Sequence, residues 1–161
     1  MRKLTKKTLT ELAEKMPVLN EYQQQAYIGG YDDHDCWWRC IAYLKSCGQD
    51  FDADAAMRIA SGYYGETFDE NNYAFSGNRT ELQDFADNFF SGLDGNYCSG
   101  QIVVFNPNTV SGWEGDGTSY HAVVVQGYDE SGIHLFDPVS RTTFTISSWD
   151  EISQGYIINV R

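Results

Sequence analysis

The chain has 161 residues, 42% hydrophobic and 15% aromatic, which is enough for one domain with a real core. A formal net charge of -12 argues against nucleic acid and against an anionic membrane surface, both of which need basic surface. There is no 18-residue apolar run for a membrane-spanning helix, and no apolar stretch follows the basic N-terminus as it would in a secretory signal.

The charge is unevenly spread. Residues 1–30 carry a net +2 and residues 31–161 a net -14. A basic front on an acidic body points to two parts, the first able to dock electrostatically on the second. Residues 8–16 predict a short amphipathic helix. Thr8 and Glu11 make a capping box, Leu9, Leu12, Ala13 and Met16 line one side, and Pro17 ends it. The polar stretch 20–25 leads to Gly29-Gly30, the natural boundary, although a flexible linker fits this composition equally well.

Asp35-Cys36 opens the segment on which the rest of the chain depends. Trp37, Ile41 and Leu44 fall on one face of a helix from Cys36 to Ser46, and Cys47-Gly48 supplies the stop. A thiol in the first helical position sits against unpaired N–H groups and the positive end of the macrodipole, and both favour thiolate, the nucleophilic form. Further helices are expected near 53–61 (Ala55, Ala56, Ile59, Ala60) and 80–90 (Leu82, Phe85, Ala86, Phe89). The period then changes. Residues 101–105 and 121–128 read as strands, with a glycine-rich loop at 111–119 between them. The second strand is apolar on both faces and so central. Asp129–Gly132 is a hairpin turn, and 133–136, 142–146 and 156–160 are three more strands. Helices first and an antiparallel sheet second is the α+β pattern.

The four cysteines stand at 36, 40, 47 and 98. With Cys36 as nucleophile, the remaining three do not make a disulfide framework. Cys40 and Cys47 would lie roughly 10 Å apart along a helix, too far to bridge. No C-x-x-C or H-x-x-x-H pair supports a zinc site, and no metal or cofactor is expected.

A cysteine nucleophile needs a base, and the base needs an orienting acceptor. Of the three histidines, His34 lies on the wrong side of Cys36 and His134 sits inside a short strand. His121 opens the central strand beside a glycine-rich loop, where it can line a cleft. A satisfied structural histidine is the plainer reading of any one of them. Asp137 ends the next strand, and the hairpin brings it back towards His121, where it can fix the imidazole tautomer. Taken alone, Asp137-Pro138 reads more simply as a turn start.

Together, Cys36, His121 and Asp137, in that order on an α-then-β layout, resemble the papain-like cysteine peptidases. The match is nearest the C39-like group, which includes the peptidase domains of bacteriocin exporters. Asp35-Cys36-x-x-x-Cys40-Ile41-Ala42 resembles that group's D-C-G-x-x-C-L-A segment. His121 to Asp129 resembles its H-x-V-V-x-x-G-Y-D strand, and Asp137-Pro138 resembles its D-P. Trp37 replaces the group's glycine, as in papain. The glutamine that donates to the oxyanion has no counterpart at 26–35, so the backbone N–H of Cys36 supplies one donor and the second is unassigned. Leu19, Gly29 and Gly30 resemble a double-glycine leader cut after Gly30, with Gln24 where an apolar residue is usual.

The resemblance implies a 1–30 leader and a 31–161 papain-like domain that hydrolyses peptide bonds of a peptide or protein substrate through a Cys36 thioester. The leader implies export by a peptidase-containing ABC transporter. The precursor would be cytoplasmic and the mature chain outside the cell. The rival expectations are a non-catalytic exported effector or peptide-binding module on the same fold, and a transglutaminase-like acyltransferase.

Overall fold

The structure, a computed structural model, describes residues 35–71, 73–75, 77–110, 120–152 and 155–161. The leader with Gly29 and Gly30, the 8–16 helix, His34 and the 111–119 loop lie outside the described residues. Three helices come first: α1 (Cys36–Lys45), α2 (Ala53–Tyr64) and α3 (Arg79–Ser91). Five strands follow: β1 (Gly100–Phe105), β2 (His121–Asp129), β3 (Gly132–Asp137), β4 (Thr142–Ile146) and β5 (Gly155–Val160). They form one antiparallel sheet in the order β4-β3-β2-β1-β5, so β2 is central as its apolar run predicts. The α+β expectation holds. No helix among the described residues is long and apolar enough to cross a membrane.

The helices start where local chemistry places them. Asp52 caps α2 by accepting from the Ala55 N–H at 2.8 Å. Asn78 and Glu81 form a reciprocal capping box on α3. At the end of α1, Cys47 and Gly48 both take positive φ, 52° and 80°, and the Gly48 N–H bonds the Tyr43 carbonyl at 2.8 Å. A β-carbon on Gly48 would lie 3.1 Å from the Tyr43 ring, so glycine fits this stop on two counts.

α1 is more deeply buried than its single predicted stripe implies. Trp37, Ile41 and Leu44 are buried, and so are Trp38, Cys40 and Ala42. Trp38 is fully enclosed. It is ringed by Tyr63, Tyr64, Phe75 and Phe85, and its indole N–H donates to the Tyr73 carbonyl at 2.7 Å. The helix is covered on one side by the sheet residues Ile102, Val104, Ala122 and Val124 and on the other by aromatics from α2 and α3. A smaller cluster, with Val103, Phe105, Val123 and Leu135 among its members, fills the opposite face of the sheet.

One sequence expectation is overturned. Cys47 and Cys98 form a disulfide, with Cα atoms 5.2 Å apart across a separation of 51 residues. Helix α1 ends at Lys45, so Cys47 is free to turn towards the segment entering β1, and the Cys98 N–H bonds the Leu44 carbonyl at 2.9 Å. Spacing within the helix could exclude Cys40 as a partner but carried no information about a partner 51 residues away.

Candidate active site

The first residue of α1, the first of β2 and the last of β3 meet at one end of the sheet. Cys36 is half-buried with a free thiol. His121 is 5% exposed and near enough to Cys36 for the sulfur to raise its proton affinity. Its Nε2 lies 3.2 Å from Oδ1 of Asp137. The distance is within hydrogen-bond range but the N–H is not aligned on the oxygen, so the contact is first of all an ion pair. Asp137 is 2% exposed. Its Oδ1 also accepts from the Val139 N–H at 2.9 Å, and its Oδ2 accepts from the Ser140 hydroxyl at 2.8 Å. Ser140 is in turn 2.6 Å from the Thr142 hydroxyl. The turn reading of Asp137-Pro138 and the acceptor reading are therefore both met by one carboxylate.

A β-bulge decides that His121 and Asp137 face each other. The hairpin starts in the register Asp129↔Gly132, Tyr128↔Ile133 and Gly127↔His134, and Gln126 is then skipped so that Val125 pairs with Leu135 and Val124 with Phe136. Continuing this register sets Asp137 opposite Val123, two residues from His121 and on the same face, a diagonal neighbour within reach of long side chains. Without the extra residue Asp137 would stand opposite Val124, on the face His121 does not use. Gln126 is held in place by its side chain, which donates to the Tyr43 hydroxyl of α1 at 3.3 Å and accepts from Thr143 of β4 at 3.1 Å.

The electrostatics follow from this packing. Burial by itself lowers the His121 proton affinity. The Asp137 charge and hydrogen bond outweigh it, with help from Cys36, and the imidazole rises from 6.5 to about 10. Burial by itself raises the Asp137 carboxyl, but the His121 charge and the hydrogen bonds from His121, Ser140 and Val139 hold it below its ordinary 3.8. Cys40 is fully buried one turn inside the helix. Burial pushes its thiol well up, and so do the negative charges of Cys36, Asp137 and Asp35. It is a small core hydrophobe, as its spacing from Cys36 predicts.

His134 does not take part. Its Nε2 pairs with Asp129 at 2.8 Å and its Nδ1 lies 2.9 Å from the Thr145 hydroxyl, on the far part of the hairpin. Two features escaped the sequence reading. The Ser140–Thr142 pair behind Asp137 had no local signal. Arg39, which binds Asp35 at 2.6 Å, had one in its i, i+4 spacing. Among the described residues no cluster of His, Cys, Asp and Glu is arranged to hold a metal ion. A groove of about 1120 Å³ opens between α2 and α3, lined by Tyr63, Phe75, Phe85 and Phe89 among others, and none of Cys36, His121 and Asp137 lines it.

Compared with protein-family models, with curated proteins and with solved structures, the chain matches none.

Proposed function

We propose that the chain is a cysteine peptidase of the papain-like fold, nearest in kind to the C39-like group, with Cys36 as nucleophile, His121 as proton shuttle and Asp137 as its orienter. The observation that carries this reading is the meeting of a helix-first thiol, a strand-first imidazole and a strand-end carboxylate from three separate elements. An imidazole held protonated to about 10 keeps a cation beside the sulfur through the neutral range.

The Cys36 thiolate attacks the scissile carbonyl carbon, forming the C–S bond and moving the carbonyl pair onto oxygen. The N–H of Cys36, in the first turn of α1, is one donor for that oxyanion. Collapse breaks the C–N bond as imidazolium gives its proton to the departing amine, leaving a thioester. Neutral His121 then takes a proton from water, the hydroxide adds to the thioester carbonyl, and the thiolate leaves. Asp137 stays ionised throughout and holds the imidazole tautomer. Acyl transfer shares every step up to the thioester and differs only in using an amine where hydrolysis uses water.

The Cys47–Cys98 bridge supports export, since disulfides persist in oxidising compartments. In this reading residues 1–30 are a leader removed by the peptidase domain of an ABC exporter. The test is purified full-length chain beside its Cys36→Ala and Cys40→Ala forms, one portion of each labelled with iodoacetamide at pH 6 and an untreated portion assayed on a library of quenched fluorescent peptides. Wild type and Cys40→Ala should cleave, and Cys36→Ala should not. Added hydroxylamine would yield hydroxamates if acyl transfer competes. Cleavage surviving Cys36→Ala, or label concentrated on Cys40, rejects the assignment. Absence of both labelling and cleavage favours the non-catalytic effector.

A further inference from the structure

Asp35 precedes the nucleophile and is 1% exposed, an unusual place for a carboxylate. Aspartate at this position is among the best residues for capping a helix, its carboxylate accepting from the first-turn amides. Here it forms no capping bond. Its Oδ2 is instead bound at 2.6 Å by Nε of Arg39, one turn along, whose side chain is only 12% exposed. The backbone repeats the link, with the Arg39 N–H bonding the Asp35 carbonyl at 2.9 Å. The charged and titratable groups around the Cys36 end of α1, among the described residues, are Asp35, Arg39 and Cys40 from the helix, His121 from β2 and Asp137 from β3.

We infer that Arg39 is a positioning residue: by clamping Asp35 it keeps that carboxylate off the first-turn amides and offsets its charge, so that the helix end acts on the Cys36 thiol. Released, the carboxylate would swing to the Trp37 and Trp38 amides as an ordinary cap, setting a negative charge beside the sulfur. An uncompensated like charge within about 4–6 Å works against an anion by a factor of about ten or more. The clamp explains why a strong capping residue stands next to a nucleophile without capping. The inference rests on Cys36 being the nucleophile.

The experiment measures the rate of Cys36 alkylation by iodoacetamide from pH 5 to pH 9, by peptide mass, in the full-length wild type, Arg39→Gln, Arg39→Lys and Asp35→Ala/Arg39→Gln. Near-ultraviolet circular dichroism checks folding. Arg39→Gln should be about tenfold slower at pH 8. Removing the Asp35 carboxyl in the double variant should restore the rate to within about threefold, and Arg39→Lys, which keeps the cation, should stay within about threefold of wild type. A double variant no faster than Arg39→Gln would mean plain structural damage and overturn the clamp. If Arg39→Gln does not fold, Arg39→Lys carries the test, and a tenfold loss there overturns it as well. The wild-type arm tests the nucleophile separately: Cys36 alkylating no faster than a free small-molecule thiol removes that reading, and the clamp with it.

Discussion

Replacing Asp137 by asparagine isolates the charge that holds His121. The change is nearly isosteric: the amide oxygen, in the place of Oδ1, can still accept from Val139, while the NH2 in the place of Oδ2 faces the Ser140 hydroxyl, which would have to accept from it. Two unit charges at the observed 3.2 Å, with an effective dielectric of about 20, attract by about 5 kcal/mol. The rise of His121 from 6.5 to about 10, at about 1.4 kcal/mol per unit, also corresponds to about 5 kcal/mol. The folded imidazole binds its proton more tightly than the unfolded one. Its contribution is therefore complete below about pH 6.5 and fades as pH rises towards about 10. The folded carboxyl lies below its ordinary 3.8, so its contribution is complete above that value and is lost as pH falls through the folded one. The pair stabilises most between about pH 4 and 6.5. Allowing for the hydrogen bond that asparagine retains, Asp137→Asn should cost about 2–4 kcal/mol at pH 6 and under about 1 kcal/mol at pH 10. Urea unfolding at pH 6, 8 and 10 measures this, and a gap of equal size at all three refutes the ion pair as the cause. Activity should fall as well, since the imidazole loses its orienter.

Three further expectations can be checked directly. Cutting the 51-residue loop by Cys47→Ser with Cys98→Ser should cost about 4 kcal/mol by chain entropy, and thiol counting on the denatured, unreduced protein should find two free groups and not four. Trp38→Ala, which empties a fully enclosed aromatic site and removes the indole bond to the Tyr73 carbonyl, should cost about 3–5 kcal/mol in thermal or urea unfolding, whereas a loss under about 1 kcal/mol would mean the site collapses around it. Cleavage of Gly30–Tyr31 should require a second protein, because the five residues before Cys36 span at most about 20 Å and leave little room to fold back. Intact mass of wild type and Cys36→Ala incubated alone should show both unchanged, and wild type losing residues 1–30 at a rate independent of concentration would mean self-processing.

The helices and strands, and the element ends where Cys36, His121 and Asp137 stand, were legible in the sequence because those signals are local. A 3.6-residue period marks α1 and α3, a continuous apolar run marks β2, and Gly48 and Gly132 mark stops and turns at positive φ. Cys36, His121 and Asp137 were legible because each sits at an element's end, where pattern and position coincide. The tertiary structure decided what depends on residues distant in the chain. The skip at Gln126 turns Asp137 onto the face of His121, and it is stabilised by Tyr43 and Thr143, contacts that no alternation of strand residues encodes. Trp38 is enclosed because α2 and α3 close over a side of α1 that its own periodicity leaves open. Cys47 and Cys98 find each other only once the end of α1 is laid against the start of β1. Asp35 reads as a cap in any linear pattern, and its diversion to Arg39 follows from the geometry of the folded first turn.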